Sequence, residues 1–76
     1  MAEGSRADWA DIARRHLRGE MVRANVKYAE LARRLTEMGV PETQGSLQVK
    51  ISRGRFSAWF MLAALRAMGS NTLQLD

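Results

Sequence analysis

Apolar residues recur at three- and four-residue intervals through most of this chain, the spacing of helices with one buried face. Trp9, Ile12, Ala13, His16, Leu17, Met21 and Ala24 form the first such stripe, with Arg14, Arg15, Arg18 and Arg23 mainly outside it. The pattern predicts a helix from about Asp8, which can cap it, with Asp11 in the first turn where the helix dipole favours an acid. Gly19 in its interior costs about 1 kcal/mol of helix propensity relative to Ala. Asn25 is the expected left-handed terminator, after which Val26 re-enters the core. A second helix is predicted over Tyr28 to Met38, burying Leu31, Ala32, Leu35 and Met38. Glu30 near its start and Arg33 and Arg34 further on suit the dipole, while Lys27 stands where a capping Ser or Thr is expected. Gly39, Val40 and Pro41 end it.

Thr43 can cap a third helix running to about Arg53. With Leu47 and Ile51 as its inward pair, the 100° step per residue points Gly45, Ser46, Val49, Ser52 and Arg53 outward. Gln48 and Lys50 fall on the flanks, Gln44 lies in the exposed first turn, and Gly54 closes the helix. Ser57 caps a fourth helix, Ala58 to Met68, in which Arg66 is the one charged residue. A helix apolar nearly all round must be buried on most sides, and a four-helix domain of this size can hardly surround it. The remedy expected is a second subunit, which assigns Trp59, Phe60 and Met61 to a dimer interface. Leu73 and Leu75 join them, because Thr72 to Leu75 alternates like a short strand or packs as a tail. The fold expected is therefore all-α: one four-helix domain over 1–76 with a short C-terminal strand or tail.

The composition, 46% hydrophobic and 26% charged, is that of a globular domain and not of a disordered tail. There is no cysteine, so no disulfide framework and no thiolate metal site can form, which fits a reducing cytoplasm. The start, Met-Ala-Glu-Gly-Ser, lacks a signal-peptide layout, and the apolar run Ala58 to Leu65 falls well short of the roughly 20 residues that span a bilayer. A cytoplasmic protein without a membrane partner is expected. The net charge is +4, and residues 1–42 are nearly balanced, with eight basic groups against seven acidic ones. Residues 43–75 hold Lys50, Arg53, Arg55 and Arg66 and no acid. A local basic patch of this kind attracts polyanions through counterion release, or simply keeps a small protein soluble.

Catalysis finds little support. His16 is the only histidine and sits on an apolar stripe, so a packed or boundary role is expected, and it has no companion at metal-ligand spacing. No phosphate-cradling glycine loop exists, no cofactor is implied, and Asp8, Asp11, Glu30 and Glu37 occupy capping or surface-pairing positions. Trp9, Trp59 and Phe60 are the side chains an aromatic platform for bases would use, but each lies on an apolar stripe, and core or interface packing is the expectation. The third helix differs, because its outward residues are types that read DNA. Gln44 and Gln48 match adenine edges, Ser46 bonds to either groove partner, and Val49 suits a thymine methyl. Lys50, Arg53 and Arg55 are placed to grip phosphates.

Two short helices joined by a turn, the second free of acidic residues, outline a helix-turn-helix. The stretch Tyr28-Ala-Glu-Leu-Ala-Arg-Arg-Leu, with Gly39-Val40 and Ile51-Ser-Arg-Gly54, resembles the Cro/C1-type (lambda-repressor-like) family. The chain over residues 9 to 75 also resembles a small, mainly proteobacterial domain family of unknown function, with a Tyr-x-Glu-Leu-Ala helix, a Ser-Arg-Gly-x-Phe-Ser turn and a Leu-rich tail. The Cro/C1 resemblance implies a dimeric DNA-binding regulator whose recognition helix starts at Gln44, Gly45 and Ser46 and continues through Gln48 and Val49. The chain departs from the usual motif in the seven-residue step from Ala32 to Gly39, in Pro41 within the turn, and in Ser52 where an acid is common.

These readings converge on a bacterial, homodimeric transcription regulator that binds specific double-stranded DNA and is not an enzyme. The alternative is a protein-interaction module, an antitoxin or adaptor, docking through the apolar fourth helix. Structured RNA would use the same arginines.

Overall fold

The computed structural model describes residues 6–71, which are all-α. Four helices follow in order: α1 (Arg6–Ala24), α2 (Tyr28–Glu37), α3 (Gln44–Arg53) and α4 (Ala58–Ala67). The expected C-terminal strand or tail, with Leu73 and Leu75, lies outside the described residues.

All four helices stop by one device. A residue at positive φ follows the last turn (Asn25 at 56°, Gly39 at 90°, Gly54 at 65°, Gly69 at 81°) and the next amide reaches back to a carbonyl five residues earlier. These bonds are Val26 to Met21 at 2.9 Å, Val40 to Leu35 at 2.8 Å, Arg55 to Lys50 at 3.3 Å and Ser70 to Leu65 at 2.9 Å. The orphaned last-turn carbonyls are thereby satisfied, and the chain turns sharply into the next segment. At the other ends, Thr43 Oγ1 accepts from the Ser46 amide and Ser57 Oγ from the Phe60 amide, while Lys27 offers α2 no side-chain cap. Asn25, Gly39, Gly54, Thr43 and Ser57 thus act where the local residue pattern puts them, whereas α1 already begins at Arg6 and holds Asp8, the expected cap, inside its first turn.

Helices α1 and α2 each pack across α3 and α4. The core between them holds Leu17, Met21, Val26, Leu31, Leu35, Leu47, Ile51, Phe60, Leu65 and Met68 with Ala32 and Ala64. Leu17, Leu31, Leu35, Leu47, Ile51 and Phe60 are fully enclosed, each contributing roughly 1.5–3 kcal/mol by burial.

Several expectations about burial are corrected. The stripe on α1 is buried only in its middle: Leu17 and Met21 are covered, together with the polar Glu20, whereas Trp9 is 56% exposed and Ile12 and Ala24 are also exposed. At 19 residues against 10 for each other helix, α1 is about 28 Å long and its partners about 15 Å, so both of its ends overrun the core. Met38 sits past the last turn of α2 and is exposed. Phe60, expected at a dimer interface, points into the domain's own core at 2% exposure, its ring centroid 5.5 Å from that of Phe56. Phe60, Ala64, Leu65 and Met68 make the inward face of α4, Met61 is half-buried, and Trp59 and Leu62 are left outward.

Ion pairs decorate the outside. Asp11 pairs with Arg14 and Arg15, and Glu30 with Arg33 and Arg34. Arg34 Nη1 also donates to the Ala67 carbonyl at 3.0 Å, tying α2 to the end of α4. Hydrogen bonds from Arg33 and then Arg34 lower the Glu30 pKa from its ordinary 4.5 to about 2, and the Arg14 hydrogen bond lowers that of Asp11. A carboxylate whose pKa is depressed by folding adds stability that is complete above the unfolded value and lost as pH falls through the folded one. The melting temperature should therefore fall between about pH 4.5 and pH 2, and acid melts of Glu30→Gln should show a shallower fall over that window.

Candidate nucleic-acid interface

The start of α3 is organised by Glu42, a residue that helical periodicity does not single out. The turn through Pro41 folds Glu42 across the first turn of α3, where Thr36 Oγ1 donates to its carbonyl at 3.2 Å and accepts from its amide at 3.3 Å. The Glu42 carboxylate, its side chain 4% exposed, accepts from Ser46 Oγ at 2.6 Å and from Lys50 Nζ at 2.5 Å. Thr43 and Ser46 complete a reciprocal capping box with two 3.0 Å bonds. An acid at the positive end of a helix is favoured there, and the box supplies partners for donors the helix leaves open.

Two of the expected DNA-contacting residues are corrected by this arrangement. The Ser46 hydroxyl is engaged with Glu42 and Thr43 and is not a free donor on the outer face. Lys50 lies on the flank of α3 as expected, but its charge is engaged: the ammonium lies against Glu42 and 5.1 Å from the centroid of the Phe60 ring. A carboxylate and an aromatic face both attract it inward.

The remaining expected residues do share a surface. Gln44, Gly45, Gln48, Val49, Ser52 and Arg53 are all exposed along α3, Val49 at 48%, while Leu47 and Ile51 anchor the opposite side at 0%. Arg55 is exposed just beyond the helix. Among the described residues, neither Arg53 nor Arg55 has a carboxylate within 4 Å. By contrast Arg14, Arg15, Arg23, Arg33 and Arg34 are all paired within their own helices. The net positive field of this region thus comes from Arg53 and Arg55, with Lys50 largely offset.

The turn after α3 is held against α1. Gly54 adopts φ +65°, and a Cβ there would meet the Ala10 carbonyl, with the carbonyl carbon at 2.8 Å and Cα at 3.2 Å. This close approach leaves an open groove of about 800 Å³ between the first half of α1 and the Gly54–Ala58 segment, lined by Arg6, Trp9, Arg55, Phe56 and Met61 among others, none of them acidic. The apolar stripe assigns Trp9 to the core and says nothing of Arg6. A helix projecting past its short partners is the signal that exposes both.

His16 takes the packed, boundary position expected, and among the described residues its buried Nε2 has no hydrogen-bond partner. Among the described residues no cluster of three metal-ligating side chains forms, and no helix is long and apolar enough to cross a membrane. No curated protein and no solved structure matches the chain. The sequence model of DUF6471, a domain of unknown function, matches residues 9–73, and since that span takes in nearly all of α1 and the whole of α2, α3 and α4, the chain belongs to this family.

Proposed function

We propose that the domain is a helix-turn-helix protein of Cro/C1 type that binds double-stranded DNA as a homodimeric transcription regulator. The observation that carries this reading is the outer side of α3, where Gln44, Gln48 and Val49 lie exposed and lead without an intervening carboxylate to Arg53 and Arg55, which have no carboxylate partner among the described residues. Glutamine amides make paired hydrogen bonds to adenine, an exposed valine packs on a thymine methyl, and guanidinium forks hold phosphates. Helix α2 packs on α3 and fixes its angle, as a helix-turn-helix requires. The second copy is accommodated by Trp59 and Leu62, exposed at 62% and 63% on the outer side of α4. Reading two half-sites requires the α3 helices of such a dimer to lie about one DNA turn, roughly 34 Å, apart.

The test is a duplex titration at roughly 50 and 200 mM salt. With two arginines per protomer on phosphates, a dimer should lose on the order of a hundredfold in affinity across that interval. Absent or salt-independent binding would remove the reading.

The exposed Trp59 and Leu62 also favour a second reading, an adaptor or antitoxin module docking on a different protein through α4. In that case Trp59→Ala abolishes function while Arg53→Ala with Arg55→Ala is tolerated.

A further inference from the structure

The exposed Trp9 has no role in the α3 surface. An indole more than half in water has lost most of the free energy its burial would supply, and its neighbours across the groove are Arg55, Phe56 and Met61. Arg6 and Arg55 line the same groove, and among the described residues neither has a carboxylate within 4 Å. Two guanidinium groups without a carboxylate partner among the described residues, in one groove with an exposed ring, suit a ligand that alternates anionic and apolar surface. The phosphate–deoxyribose backbone is such a ligand, its phosphates matching the arginine forks and its sugars the indole. Position favours the same choice. Gly54 sits against the Ala10 backbone, so the groove begins where α3 ends, and Arg55 belongs to both surfaces.

We propose that this groove is a second seat for the DNA backbone, continuing the strand held at Arg53 and Arg55 onto the first half of α1, with Arg6 on a phosphate and Trp9 against a sugar. The proposal rests on the duplex-binding reading and extends its footprint to a helix outside the helix-turn-helix. A purely apolar ligand would leave both guanidinium groups desolvated without partners, which is costly.

The full chain and its Arg6→Ala, Trp9→Ala and Arg53→Ala variants are titrated with a random-sequence duplex over a range of salt, helicity being checked by circular dichroism. Arg6→Ala should weaken binding about tenfold and reduce the salt slope by roughly 0.9 for each phosphate it releases. Trp9→Ala should weaken binding with the slope unchanged, because no charge is removed. Duplex should quench the tryptophan emission of the parent, and Trp9→Ala, whose remaining tryptophan is Trp59, should lose that quenching. If Arg53→Ala weakens binding while Arg6→Ala and Trp9→Ala bind like the parent, or if Trp9→Ala keeps the parent's quenching, the second seat is wrong and the α3 surface stands. If the parent chain itself binds no duplex, both are wrong.

Discussion

Gly54→Ala should lower the melting temperature by about 12–24 °C, corresponding to a loss of roughly 3 kcal/mol at 4–8 °C per kcal/mol for a domain of this size. Two costs combine. A left-handed conformation costs a non-glycine residue about 1–2 kcal/mol, and Gly54 sits at φ +65°. The added methyl also lands on Ala10, whose carbonyl carbon and Cα lie at 2.8 and 3.2 Å from it. Those are backbone atoms of a helix and cannot rotate aside, so α1 itself must move, at about 1–3 kcal/mol for overpacking. Against a total stability of roughly 4–11 kcal/mol for this length, the loss is severe. Two other glycines calibrate it. Gly39 has φ +90° but nothing within 4 Å of an added Cβ, so Gly39→Ala should show the conformational cost alone. Gly19, inside α1 and equally uncrowded, should gain about 0.5–1 kcal/mol on becoming alanine. Thermal melts followed by circular dichroism order the three. A Gly54→Ala variant no worse than Gly39→Ala would mean that α1 and the turn do not meet closely.

What is legible in the sequence is local. Asn25, Gly39, Gly54 and Gly69 end helices because the backbone there must take positive φ, and that need is written in one residue and its neighbours. Thr43 and Ser57 are readable as caps for the same reason. The 100° step places Leu47 and Ile51 inward and Gly45, Val49, Ser52 and Arg53 outward on α3, as found. Periodicity says which residues share a stripe and does not say what covers it. Hence the stripe puts Trp9 in a core that α1 overruns, and it puts Phe60 in an interface although the domain itself encloses it. The Glu42–Lys50 pair spans eight residues across a turn and a helix, a separation no helical spacing rule addresses. The meeting of Gly54 with Ala10 joins positions more than forty residues apart, so only the packed fold reveals it.

Replacing both Arg53 and Arg55 by alanine should leave stability nearly unchanged and remove most of the duplex affinity. Both side chains are exposed and neither is paired with a carboxylate among the described residues, so truncating them breaks no ion pair within the fold. Surface substitutions of that kind usually move stability by no more than about 0.5 kcal/mol. Each arginine withdrawn from a phosphate should cut the slope of log affinity against log salt by about 0.9, nearly four in a dimer where four arginines are withdrawn. The deficit should therefore be large at low salt and shrink as salt rises. Lys50→Ala, one helical turn earlier, should behave in the opposite way. Its charge is already balanced by Glu42, so the salt slope should change little, while removing it strands a carboxylate whose side chain is 4% exposed and lowers stability. Thermal melts and salt-dependent titrations on the two variants thus sort three neighbouring cations into one that holds the fold and two that face the ligand. A double arginine variant with the parent's salt slope would show that the polyanion is not held at the end of α3.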